Sequence, residues 1–377
     1  MNILLVGEYS RLHNSLKEGL LQQGHQVKIA GFNDGFKNFP VDVRITKRWD
    51  SGIAKKIKVL LFKLTGFDLT SHLTFRQFYQ NRDLFSGYDV VQLINENSFQ
   101  CGYAYESKIL DYIFNNNKKV FLLSCGTDYA NVNYYFDHPD TKSVVQPYRD
   151  GKIGNRQFQS VLKFRTNEFQ QLHQFLYTRI SGVIASDLDY HLPLVGNPKY
   201  LGIIPNPVNT DKLKSEPLPG IEKVVIFLGI NKDNYYQKGC DFFEEALKII
   251  SEKYADKTEI IVTKSIPYDE YIKAYNSAHI LLDQCYAIDQ GYNALEAMAR
   301  GKVVFTGAGP AFLDYYGLDG VVAVDALPDV RYLVSELSYL IENREAIKAI
   351  GKRAAAFVAK EHHYLEIAGK YVQAWQS

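Results

Sequence analysis

The stretch Asp283–Val304, DQCYAIDQGYNALEAMARGKVV, holds the residue types best placed to do chemistry. It reads as an apolar strand ending at Asp283, a loop carrying Gly291, a helix opening near Tyr292 and a second strand beginning near Lys302. Glu296 lies five residues after Gly291, so its carboxylate sits about one turn into the helix. A glycine ahead of a helix lets backbone come close to a ligand. The N–H groups and dipole of the helix start favour anionic oxygens. A carboxylate one turn further in can accept hydrogen bonds from two hydroxyls. A diphosphate flanked by a ribose diol and a sugar ring has just those parts. On spacing alone, the other reading is a surface helix between two strands of an alternating α/β unit, with an incidental glutamate.

A second group lies upstream. Gly229-Ile230-Asn231-Lys232 and Gln237-Lys238-Gly239 follow an expected strand, Lys223–Gly229, and precede an expected helix beginning near Cys240. Two lysines in a loop between a strand end and a helix start can clamp phosphate with ammonium charge and backbone N–H groups. Such groups accelerate a reaction when they meet charge that grows in the transition state, as on a departing diphosphate. Taken alone, the pair also fits two solvated loop lysines.

The segment GYNALEAMARGKVV resembles the donor-binding signature of GT-B glycosyltransferases, especially the large retaining family 4-like group of bacterial capsule, exopolysaccharide and lipopolysaccharide enzymes. In that signature, E-x7-E, the second glutamate grips the ribose of the nucleotide. Glu296 matches it, and Gly291, Leu295, Ala297, Met298, Ala299 and Gly301 fit the pattern around it. The first glutamate would fall at Ile288; Asp289, one residue off register, could supply a carboxylate if the loop shifts. The family's phosphate loop has a basic residue and then K-G, positions held here by Lys232 and Lys238. Arginine is more usual at the first, so Lys232 implies a point-charge contact instead of a bidentate one.

Three further segments resemble the family more loosely. Ser124-Cys125-Gly126-Thr127-Asp128 is similar to its H-G-(S/T)-D, with Cys125 in the place of histidine. Asp128 then either orients an acceptor hydroxyl or caps a helix. Of the family's Gly-rich first turn only Gly7 is present, in Val6-Gly7-Glu8-Tyr9-Ser10-Arg11, and a plain strand-to-helix turn is the simpler reading. Asn95-Glu96-Asn97 follows a strand end and is expected to face the same cleft.

The resemblance implies an α/β chain of GT-B architecture, two Rossmann-like doubly wound parallel-sheet domains facing across a cleft. It is strong over Ile203–Gly307 and mainly architectural elsewhere. It implies transfer of a hexose-type sugar from a nucleotide sugar, UDP- or GDP-linked, to a surface-glycan or glycolipid acceptor, with retention of configuration. In those roles Lys232, Lys238 and Asp128 are the catalytic candidates. Glu296, Gly291, Tyr292, Asn293, Asp289, Gly229, Asn231, Gly239 and Gly7 are the donor-binding candidates. No cofactor and no metal are expected: no D-x-D motif of the kind that holds Mn²⁺ is read, and nothing suggests the paired carboxylates of a glycosidase. Two rivals stand beside this reading. One is a nucleotide-sugar 2-epimerase of the same fold, which would need acid and base groups at the cleft. The other is an inactive sugar-nucleotide-binding protein, which the missing glutamate and Cys125 would suit.

The elements that must position these residues alternate strand and helix. Strands are expected at Asn2–Gly7, Gln26–Ala30, Asp89–Leu93, Lys118–Ser124 and Gly182–Ser186, with a first helix over Ser15–Gln23. Ile203-Ile204-Pro205-Asn206-Pro207-Val208-Asn209 resembles the family's I-P-N-G-V-(D/N) entry to a second domain, and KSEPLPG after it reads as a linker. The alternation then restarts with Lys223–Gly229, a helix Cys240–Lys253, a strand Glu259–Thr263, a helix near Tyr268–Asn276 and strands Ile280–Asp283 and Lys302–Thr306. The expected division is an acceptor-binding domain over 1–203, a donor-binding domain over 204–360, and a last helix, about Glu361–Trp375, returning to the first domain within 361–377. Two parallel sheets joined this way leave a cleft between the carboxyl ends of their strands.

Composition fits two domains, in a protein expected to be soluble or attached to a membrane only at its surface. The chain has 377 residues, 46% hydrophobic and 14% aromatic, enough for two cores. A formal charge of +1 argues against the global basic field of a nucleic-acid binder. Cys101, Cys125, Cys240 and Cys285 form no C-x-x-C pair, so neither a zinc site nor a disulfide framework is expected, and a reducing cytosol is the natural home. The opening MNILLVG reads as a strand and not a signal peptide. Of nine histidines only His362 and His363 adjoin, and they are read as surface residues at the start of the last helix.

One segment fits none of this. Gly52–Thr65, GIAKKIKVLLFKLT, sets Lys55, Lys56, Lys58 and Lys63 among Ile53, Ile57, Leu60, Leu61 and Leu64, after Arg44, Lys47, Arg48 and Trp49. This is a basic amphipathic helix. Either its stripe packs on the first sheet, or 44–66 makes a peripheral contact with an anionic membrane at the inner face.

Overall fold

The computed structural model describes residues 1–32, 39–213 and 222–376. The expected linker 214–220 lies outside them. Among the described residues the strands form two sheets. The first holds β1 (Asn2–Val6), β2 (Gln26–Gly31), β3 (Val43–Arg44), β4 (Val90–Leu93), β5 (Lys119–Ser124), β6 (Gly182–Ala185) and β7 (Tyr200–Ile203), in the order β3-β2-β1-β4-β5-β6-β7. The second holds β8 (Val224–Ile230), β9 (Thr258–Lys264), β10 (Ile280–Leu282), β11 (Val303–Thr306) and β12 (Val324–Asp325), in the order β12-β11-β10-β8-β9. All pairings are parallel; β1, for example, sets Ile3 beside Val27 on one side and Val90 on the other.

Central strands read as unbroken apolar runs because both of their faces are covered. In β1, Leu4 and Val6 enter one core while Ile3 and Leu5 enter another, built on the first helix (Leu12–Gln22) and the closing helix (Tyr364–Gln376). The second sheet repeats the pattern: Ile226 and Leu228 point to one side, Phe227 to the other. Strands β3, β7 and β12 escaped the sequence analysis. Each lies at a sheet edge, and two of them span only two residues, so they carry no apolar run to read.

The chain crosses back beside its own entry to the second sheet. Val208 N–H donates to His362 O (2.7 Å), Tyr364 N–H donates to Val208 O (3.1 Å), and the His362 ring Nδ1 bonds Asn206 O (2.9 Å). His362 is therefore no surface residue. It is buried, and that burial pushes its pKa down to about 4, so the imidazole is neutral. The helix expected from Glu361 begins at Tyr364, because Glu361 ends the preceding helix, Arg344–Glu361. The closing helix lies against the first helix at Gly19, where a Cβ would stand 2.5 Å from Tyr364 O and 2.8 Å from Ala368 Cβ. Only glycine admits so close a crossing. At its far end Trp375 is buried, and its indole N–H donates to Gln92 Oε1 (2.9 Å) on β4.

Side chains also link the part of the chain that carries the first sheet to the part that carries the second. Lys142 pairs with Asp325 (2.8 Å), and Lys152 pairs with Asp241 (2.6 Å) while lying over the Phe242 ring. Tyr292, at the start of the helix Tyr292–Ala299, bonds through its hydroxyl to Ser15 Oγ (2.5 Å) and Pro207 O (2.9 Å). These bonds tie the start of that helix to the first helix and to Pro207.

Candidate functional site

The carboxyl ends of β8, β9 and β10 open on a cavity of about 580 Å³. Gly229 and Ile230 come from the end of β8, Thr263 from β9 and Leu282 from β10. Asn231, Asp233 and Asn234 belong to the turn after β8, and Ser10 reaches in from the other domain. A ligand crevice at the carboxyl edge of a parallel sheet is where this topology leaves room.

Lys238 is the charged centre of the cavity. Its Nζ stands 2.8 Å from Asp283 Oδ1, at the end of β10, and Asp283 keeps only 3% of its side chain exposed. The backbone fixes the lysine from both directions: its N–H donates to Asn234 O (3.0 Å) and its carbonyl accepts from Cys285 N–H (2.9 Å). Burial opposes the ammonium charge, but the Asp283 carboxylate outweighs it and holds the lysine above its ordinary pKa. Gly239 follows at φ 72, the left-handed region, and a Cβ there would meet Cys285 Cβ at 2.8 Å. The loop thus presents Lys238 at the start of the helix Cys240–Lys253, whose observed ends match those expected.

The other predicted donor residues divide into those the structure brings together and those it does not. Gly229, Asn231, Lys238 and Asn293 line the one cavity. At Gly229 a Cβ would come within 2.6 Å of Tyr271 Cε2, so the glycine lets that ring close the wall. Asn293 is held by Tyr271 OH on Oδ1 (3.2 Å) and by Tyr275 OH on its carbonyl (2.7 Å). Lys232 is exposed on the turn at the cavity's rim. Gly291 caps the helix that carries Glu296, and a Cβ there would come no closer than 3.8 Å, at Gln284 Nε2, to the side chains and backbone beyond its neighbours among the described residues. Glu296 is half-buried, close enough to Tyr275 and Tyr292 that, after burial, its charge is the next cause raising both phenols. Gly7 is accounted for by packing, at φ 92 with Ile94 Cγ2 only 2.1 Å from where a Cβ would stand.

Three expectations change. Asp289 does not turn toward the cavity: Oδ2 accepts from Leu188 N–H (3.1 Å) and Oδ1 from Gln290 N–H (2.7 Å). Across the same seam Asp189 accepts from the N–H groups of Ile288 and Asp289 at 3.0 to 3.2 Å. Ile288 packs against the cores of both domains, so the position of the family's first glutamate is taken by interdomain packing. Asp128 is fully buried and caps the helix Tyr129–Asp137, accepting from Asn131 N–H (2.7 Å) and Ser124 Oγ–H (2.6 Å). Burial, and then the Glu96 carboxylate, push its pKa up to about 7. Of its two expected roles, the cap is the one its bonds serve. Finally, the chain does contain one D-x-D spacing, Asp187-Leu188-Asp189. Its carboxylates are spent on Asp189 N–H (3.0 Å) and on the 288–289 backbone.

The seam makes a pH prediction. Burial pushes the carboxyls of both Asp189 and Asp289 above the ordinary range. A raised folded-state pKa adds stability that is full below the unfolded pKa of about 4 and is lost as pH rises toward neutrality. Asp289→Asn removes that titration but sets an amide where two N–H groups want acceptors. The variant should be clearly less stable than the parent at about pH 5, with the gap narrowing by about pH 8. Paired melting curves check it; a gap that is constant across pH would show that Asp289 is not titrating in the seam.

Sequence reasoning gave no role to Asp233, Asn234, Thr263, Ser265, Tyr271 or Asp283, all cavity-lining. Asp283 left a signal, a lone carboxylate closing the apolar run Ile280-Leu281-Leu282. Ser10 and Arg11 belong to the turn Val6–Arg11, set beside the family's Gly-rich first turn without a role for either side chain. Both sit in the left-handed region, at φ 51 and 78, and such strain in non-glycine residues gathers where function needs it.

Residues 238–373 match the family model described as "Glycosyl transferase-like". No curated protein matches the chain. Among solved structures, sucrose-phosphate synthase from Thermosynechococcus elongatus superposes with a TM-score of 0.62 at 14% identity, over 100% of this chain and 98% of that one. HepE of Anabaena, solved with UDP and glucose, gives 0.59 at 13% identity over 100% and 99%. The UDP-GlcNAc 2-epimerase of Neisseria meningitidis, bound to UDP-GlcNAc, gives 0.53 at 12% identity over 100% of both chains. The fold is GT-B, two parallel-sheet α/β domains facing across a cleft.

Proposed function

We propose that this chain is a retaining glycosyltransferase of the family 4-like kind, moving a hexose-type sugar from a UDP- or GDP-sugar to a surface-glycan or glycolipid acceptor. The observation that carries the reading is Lys238, an ammonium held at 2.8 Å by Asp283 in a cavity at the carboxyl edge of the second sheet. The match over 238–373 to a glycosyltransferase-like family supports it. So do the UDP and UDP-GlcNAc bound by two structural relatives.

In this reading 204–360 binds the donor, and 1–203 with 361–377 binds the acceptor. Glu296 accepts from the ribose hydroxyls, and the backbone of Gly291–Asn293 meets the phosphates or sugar. Lys238, with Lys232 at the rim, meets the diphosphate. The anomeric C–O bond to the diphosphate breaks as the acceptor oxygen bonds the same carbon from the same face, and the acceptor's proton passes to a leaving phosphate oxygen. Negative charge on the diphosphate grows in that transition state, so a preorganised ammonium stabilises it more than the ground state. Lysines and N–H dipoles supply this charge, and the reading calls for no metal. Closing the cleft would exclude water and limit donor hydrolysis. We place the work in the cytoplasm, at the inner face of the membrane.

The epimerase among the relatives keeps a second reading open. Turnover of donor with no acceptor present would identify it. The test of the main reading is thermal shift against UDP, GDP, ADP, CMP and dTDP with their sugars. One nucleotide should raise the melting temperature selectively. Glu296→Gln should weaken its binding by about 1–3 kcal/mol, the scale of a charge-assisted hydrogen bond. No rise with any nucleotide would overturn the reading, a rise with neither transfer nor hydrolysis of the donor would favour the inactive sugar-nucleotide-binding protein, and unchanged affinity in the variant would remove Glu296 from the ribose.

A further inference from the structure

The helix Gly52–Thr65 does not pack its apolar stripe on the sheet. It has no buried residue. Ile53 and Leu64 keep 77% and 75% of their surface, Leu60 57% and Ile57 50%. Their spacing puts all four on one stripe of the helix. The helix rests on its neighbour, Leu69–Gln80, along a different line, where Ala54, Lys58 and Leu61 are partly covered. Glycines in the left-handed region bracket it, Gly52 at φ 59 and Gly66 at φ 70.

Charge singles out the same surface. Residues 44–66 hold seven basic side chains and one acid, Asp50, in a chain whose formal charge is +1. Asp50 is taken by Lys58 (3.0 Å), whose side chain keeps only 12% exposure. Lys56 and Lys63, one heptad apart, flank the apolar stripe and are exposed, as is Lys55. Trp49, 46% exposed, stands just before the helix.

We propose that this helix docks the chain on an anionic lipid surface, with Ile53, Ile57, Leu60 and Leu64 entering the acyl boundary and Lys56 and Lys63 at the headgroups. Only a bilayer offers apolar matter and dense negative charge in one plane. A second copy would have to set one basic face against another, since a two-fold contact pairs like surfaces. A nucleic acid would meet the lysines but leave four large aliphatic side chains in water. Placement adds a consequence. The helix lies on the crossover leaving the carboxyl end of β3, the same end of the sheet from which Ser10 enters the cavity. Docking there would bring the cleft's rim to the membrane, where a lipid-carried acceptor would lie; the docking itself holds whether or not the sugar-transfer reading does.

The test is co-sedimentation of the full chain with vesicles of phosphatidylcholine alone and of phosphatidylcholine with phosphatidylglycerol. The chain should pellet with the anionic vesicles. Ile57→Glu with Leu60→Glu, and separately Lys56→Glu with Lys63→Glu, should each weaken binding about tenfold or more. Both variants should melt like the parent, because the altered residues are exposed. Equal binding to both kinds of vesicle, or undiminished binding by either variant, would overturn the proposal. So would a dimer, seen by light scattering, that the glutamate pair on the stripe dissolves, or a tighter salt-sensitive complex with DNA.

Discussion

Lys238→Ala is expected to lower turnover by about a hundredfold or more, the scale seen when one preorganised donor to developing charge is removed. The difficulty is that Lys238 also neutralises Asp283, a carboxylate 3% exposed. Removing one partner of a buried pair leaves the other uncompensated, at a cost of about 3–5 kcal/mol. A loss of activity could then reflect a destabilised donor domain. Lys238→Ala with Asp283→Asn separates the two. The double variant no longer buries an unpaired charge, so its melting temperature should recover most of what the single variant loses. Its turnover should stay low, because nothing restores the ammonium. Recovery of turnover together with stability would make Lys238 a structural cation, and a single variant with normal turnover would move the phosphate clamp elsewhere.

Trp375→Ala is expected to cost the most in stability. The indole is buried against the first helix and sheet, where truncation of a large aromatic removes about 3–5 kcal/mol. It also leaves Gln92 Oε1 without the indole N–H in a fully buried setting, which adds about 1–3 kcal/mol. Trp375→Phe keeps most of the volume and should show mainly the second loss. Urea unfolding measures both. A loss below about 1 kcal/mol for alanine would mean that the returning helix is not docked as described.

How much of this could be read from the residues varies from place to place. The central strands and the helices Cys240–Lys253 and Gly52–Thr65 were legible to within a residue or so, because burial on both faces, or on one stripe, writes itself as local periodicity. Lys238 and Asn293 could be placed at a strand end and a helix start. Asp283 could not be given its role, since its partner lies 45 residues away and nothing local announces the pair. The same holds for Asp289, whose bond to Leu188 spans 101 residues and turns an expected ligand group into part of the domain seam. The amphipathic helix makes the point from the other side: its stripe was plain in the sequence, but the sequence could not say that nothing in the chain's described part covers it.

By itself, then, the sequence determined the alternating parallel α/β class, the loop before Cys240 that carries Lys238, the helix start at Gly291, and the absence of a glutamate at Ile288. Those are properties of neighbouring residues, and periodicity and turn chemistry are local. Only the tertiary structure decided that Asp283 holds Lys238, that Asp189 and Asp289 close the seam, that His362 is buried and neutral, and that the stripe of Gly52–Thr65 faces outward. Each of these depends on which surfaces two finished sheets bring together, and a contact between residues far apart in the chain has no signature in either residue's own surroundings.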